Sequence, residues 1–95
     1  MSDLAIAQER LKQLRAEFRE YLVKSYPRHK NPETLADNTL RYLDSVVEKI
    51  IKRQSYRLEF GPSGAPGWHI KVLQYLGEIA QLDYRICELL SQEIS

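Results

Sequence analysis

The chain has 95 residues, 14 Lys and Arg against 13 Asp and Glu, two histidines, one cysteine and a net charge of +1. That length fits a single domain over residues 1–95 with a modest core, and 43% hydrophobic with 28% charged residues excludes wholesale disorder. One cysteine makes no intrachain disulfide or cysteine zinc cluster, the longest aliphatic run, Leu4–Ala7, is far short of a membrane span, and no secretion-signal pattern opens the chain; a cytoplasmic protein that engages no membrane is expected.

Residues 3–25 contain neither glycine nor proline. Leu4, Ala7, Leu11, Leu14, Phe18 and Tyr21 recur in alternating steps of three and four, which is one face of a helix. Gln, Glu, Arg and Lys fill the intervals, so the stripe is a narrow heptad seam suited to a coiled-coil contact. Leu4, Leu11, Leu14 and Phe18 are accordingly read as an oligomer seam. Ser2 or Asp3 caps the start, and Glu20 with Lys24 has the favourable i, i+4 order.

Tyr26–Asn31 reads as a connection, because Pro27 cannot continue a helix. Asn31 at an N-cap, Pro32 at the first helical position and Glu33 in the first turn then open a second helix. It is expected over residues 32–55, with Leu35, Thr39, Tyr42, Leu43, Val46, Val47, Ile50 and Ile51 on a wide apolar face. Asp37 and Asn38, weak helix formers, mark a place for a kink or a shorter first turn. Lys49, Lys52 and Arg53 gather in the last turns, where cations complement the helix dipole.

Residues 56–67 break the helical pattern. Tyr56, Leu58 and Phe60 alternate with Arg57 and Glu59 in a strand-like period, and Gly61-Pro62-Ser63-Gly64-Ala65-Pro66-Gly67 follows. The connection is longer than bundle helices usually need, so it either packs through its own aromatic residues or is mobile.

A third helix is expected over residues 68–93. It carries one heptad stripe, Val72, Tyr75, Ile79, Leu82, Ile86 and Leu89, beside a second, Leu73, Leu76, Ala80, Cys87, Leu90 and Ile94. So wide a face implies more than one neighbour. Gly77 in its interior costs about 1 kcal/mol relative to alanine, and one reason for a glycine there is close approach of another backbone. The fold class is therefore all-α, a small bundle of three long helices completed by homo-oligomerisation, with a dimer the commonest closure.

No constellation supports catalysis, so no enzyme is expected. His29, His69 and Cys87 lie too far apart for metal-ligand spacing, and neither metal nor cofactor is expected. Cys87 falls on an apolar stripe and reads as a small buried hydrophobe. Among the carboxylates Asp83 neighbours apolar positions; burial there calls for a partner such as Arg41 or Arg85, or shifts its pKa upward, the alternative being a rim aspartate. The glycines before the third helix match no phosphate-binding fingerprint, since Gly67 is followed by Trp68 and His69. Trp68 reads as an anchor docking the loop on the core.

The strongest functional signal is basic residues beside tyrosine. Lys49, Arg53 and Arg57 at i, i+4 and i+8, with Lys52 and Tyr56, form one group, and Arg28 and Lys30 beside Tyr26 and His29 form another. Residues 1–58 hold 12 basic and 8 acidic side chains, residues 59–95 only 2 and 5, so the near-neutral total hides a charge division. Phe18, Tyr21 and Leu22, then Asn31-Pro32-Glu33-Thr34 and Tyr42-Leu43, resemble the opening helices of the DNA-clamping domain of tyrosine recombinases. The resemblance covers residues 18–43 alone, and the glycine-proline loop and third helix depart from it. The expected function is an intracellular interaction or regulatory module working through protein–protein contacts. The alternative is a nucleic-acid-binding accessory using the basic-aromatic residues.

Overall fold

The computed structural model describes residues 2–56 and 67–94. They form three helices, α1 (Asp3–Ser25), α2 (Pro32–Ile51) and α3 (Trp68–Ile94), each packed against the other two, with no strand among the described residues. The all-α bundle matches the sequence pattern. The strand-like alternation through Leu58 and Phe60, and the glycine-proline run up to Pro66, lie outside the described residues. Among the described residues no helix is long and apolar enough to cross a membrane.

The helix starts follow local chemistry. Ser2 accepts a hydrogen bond on Oγ from the Ala5 amide at 3.1 Å, satisfying one of the free amides of the first turn. α2 opens on Asn31-Pro32, but the Asn31 side chain makes no cap bond. The Asn31 amide donates instead to His29 Nδ1 at 3.2 Å, so His29 helps close the turn. α2 runs as one helix through Asp37 and Asn38.

Two ion pairs fix α1 antiparallel to α2. Arg19 bonds Asp37 at 2.8 Å, and Arg15 grips Asp44 with both guanidinium nitrogens at 2.8 and 3.1 Å. α3 is also antiparallel to α1, since Phe18 stacks on Tyr75 at 4.8 Å while Arg15, further back on α1, faces Asp83 further along α3. α2 and α3 therefore run in the same direction. The last turn of α2 lies beside Ala80, about 18 Å along α3 from Trp68 at 1.5 Å per residue. The chain must travel back that distance between the two helices, which is why the usual short bundle connection does not suffice.

The core gathers Leu14, Phe18 and Leu22 from α1, Ala36, Leu43, Val46 and Val47 from α2, and Trp68, Val72, Leu76, Ile79 and Ala80 from α3. Burial of each larger side chain contributes roughly 1.5–3 kcal/mol. Thr39 is buried with its hydroxyl donating to the Leu35 carbonyl at 2.8 Å. Trp68 is only 2% exposed and seats the start of α3 in this core; its Nε1–H has no acceptor among the described residues.

Candidate interaction surface

The end of α2 shapes a groove against α3. Residues 32–55 were expected to be helical, yet α2 stops at Ile51. Arg53 takes the left-handed conformation at φ 57°; its amide bonds the Ile50 carbonyl at 3.1 Å, and the Gln54 amide bonds the Lys49 carbonyl at 2.8 Å. This is the Schellman pattern, which satisfies the last carbonyls of a helix and turns the chain away. Glycine usually occupies that position because a Cβ is strained there. An arginine carries no such signal, so the sequence pattern alone overextends the helix. Arg53 consequently leaves the helical face that Lys49 occupies.

Because α2 stops while α3 continues, a step opens between them. It holds a groove of about 690 Å³ lined by Ile50, Ile51 and Arg53 on one side and by α3 residues from Gly77 to Glu88 on the other. Ala80 is buried, whereas Tyr84 stands 56% exposed. Arg85 and Glu88 complete the rim. Gly77 was expected to mark the close approach of another backbone; instead, a Cβ placed there meets nothing within 4 Å. Among the described residues no neighbouring backbone comes near it. Lys52 is engaged by Glu48 at 2.8 Å, while Lys49 and Tyr56 are exposed.

The other basic group lies elsewhere. Arg28 and Lys30 are exposed in the connection before Pro32, about 30 Å from the C-terminal end of a 20-residue α2. The fold does not bring the two basic groups together, and Arg57 lies outside the described residues. On α1, Leu14 and Phe18 are each 1% exposed within the core of the single chain, and Leu4 and Leu11 are half-buried. The seam expected to face a second copy is thus largely used between α1 and its own neighbours. The second stripe of α3 divides: Leu76 and Ala80 are buried, while Leu73 and Leu90 remain 41% and 40% exposed.

A second hollow, of about 390 Å³, lies beneath the same end of α2, lined by Arg15, Asp44, Val47, Glu48, Ile51, Asp83 and Cys87. Here charged groups from all three helices meet. Asp83 is half-buried, and the cation whose charge acts on it is Arg15, itself bonded to Asp44, rather than Arg41 or Arg85. Loss of solvation pushes the Asp83 carboxyl above its ordinary range, with Asp44 adding to the rise and Arg15 opposing it. Cys87, expected to be buried, is exposed, because α2 ends before it reaches that level of α3. Among the described residues no group of three His, Cys, Asp or Glu side chains is placed to hold a metal ion. No family model, curated protein or solved structure matches this chain.

Proposed function

We propose that this chain is a small helical interaction or regulatory module of the cytoplasm, acting through protein–protein contacts and carrying no chemistry of its own. The observation behind this reading is the α2–α3 groove, where an apolar floor, an exposed Tyr84 and a charged rim adjoin one another. Interfaces combine such features: an apolar centre enriched in aromatic residues and arginine, inside a polar rim. Self-association belongs to the same reading. Ile6 and Leu90 are 52% and 40% exposed near the ends of α1 and α3, and exposed apolar groups of this kind favour a second copy, with a dimer the simplest closure.

One observation favours the nucleic-acid reading as the alternative: the fold adds Tyr84 and Arg85 to the end of α2 that carries Lys49, Lys52, Arg53 and Tyr56. Pull-downs from native cells, with and without nuclease, separate the two. Protein partners that survive nuclease and are lost with a Gly77→Leu bait support the interaction module. Capture that disappears with nuclease supports the accessory reading. Light scattering at micromolar concentration tests self-association, and a strict monomer refutes it.

A further inference from the structure

We propose that the α2–α3 groove receives an acidic amphipathic helix from a protein partner. This rests on the reading of the groove as an interaction surface and adds the chemistry of what fills it.

Gly77 supplies the first reason. Glycine is among the poorest helix formers, yet it stands inside the 27-residue α3 with open space around its missing Cβ. No contact among the described residues requires it. A bare stretch of helix backbone at the edge of a groove lets a foreign backbone come close. The dimensions agree: Gly77 to Glu88 covers about 16 Å of α3, or three helical turns. That is the reach of a docked helix anchored through positions i, i+3 or i+4, and i+7. Ile50, Ile51 and Ala80 give those anchors an apolar floor.

Charge identifies the class of helix. Arg10, Arg15 and Arg19 on α1 are all held by carboxylates, whereas Arg53 and Arg85 in the groove lining make no ion pair among the described residues. Lys49 is exposed in the last turn of α2, and among the described residues of the lining Glu88 is the only acid. Carboxylates on the flanks of an incoming helix would meet these cations while its apolar face covers the floor. A polynucleotide would answer the cations and leave the floor uncovered. A second copy related by a two-fold axis, groove to groove, would bring four unpaired arginines together.

The test is fluorescence anisotropy with a designed helical peptide of about 15 residues, long enough to hold a helix, with leucines on one face and glutamates on the other. Matched peptides carrying glutamine or lysine for glutamate, and a single-stranded oligonucleotide, are the comparisons. The acidic peptide should bind saturably, and Arg53→Gln with Arg85→Glu should weaken it by about tenfold or more. Gly77→Leu should abolish binding without lowering the melting temperature. If the glutamine or lysine peptide binds as tightly as the acidic one and Gly77→Leu still abolishes it, the groove reading stands and the acidic partner is refuted. If only the oligonucleotide binds, if no probe binds, or if Gly77→Leu binds normally, both are refuted.

Discussion

Replacing Gly77 with alanine should stabilise the free protein. In a helix interior alanine is about 1 kcal/mol more favourable than glycine, chiefly because glycine loses more backbone freedom on folding. At most positions that gain is uncertain in sign, since a new methyl can collide with a neighbour. Among the described residues it meets none, because a Cβ on Gly77 has nothing within 4 Å and the residue keeps an ordinary helical conformation. The full propensity difference should therefore appear as stability. In a domain of this size 1 kcal/mol raises the melting temperature by roughly 4–8 °C. Far-UV circular dichroism on heating reads that shift, and urea unfolding should show a higher midpoint with an unchanged slope. A variant that melts at or below the parent would refute the reasoning, because it would mean that something in the folded chain already occupies the space beside Gly77.

Arg53→Gly should also stabilise, by about 0.5–1 kcal/mol, since the left-handed conformation at φ 57° strains any residue with a Cβ; a loss in urea unfolding would contradict the Schellman ending. Phe18→Ala should cost about 3–5 kcal/mol, because Phe18 is 1% exposed and stacked on Tyr75; a small loss in the same assay would place Phe18 outside the core. Asp83→Asn tests the charged cluster through pH. Burial raises this carboxyl in the folded state, so its ionisation opposes folding once the pH passes its ordinary value near 3.8. The variant should therefore melt higher than the parent at neutral pH, with the gap closing as both forms become uncharged below that value. A variant that melts lower than the parent at neutral pH, with the deficit closing in acid, would reverse the sign and identify ionised Asp83 as stabilising.

The three helices were legible because their causes are local. Steps of three and four residues, the Ser2 cap, and Asn31-Pro32 act over a few neighbouring positions and need no knowledge of the rest of the chain. The basic residues near the end of α2 were legible as types, but not their arrangement. Arg53 broke the expected register by taking a conformation for which its side chain gives no hint. Tyr84 and Arg85, which share the groove with it, lie about 30 positions away and carried no signal of their own.

The sequence by itself determined that the protein is all-α, where its helices begin, and that it holds far more cation in its first two helices than in its last. Only the tertiary structure decided which apolar positions α1 keeps for its own core, which carboxylates the arginines of α1 meet, and that Cys87 is exposed and Gly77 has no described neighbour beside it. The physical reason is range. A helix is selected by interactions within about four residues, whereas a groove exists only because one helix stops where its neighbour continues. That difference in length has meaning only after α2 and α3 have been brought side by side.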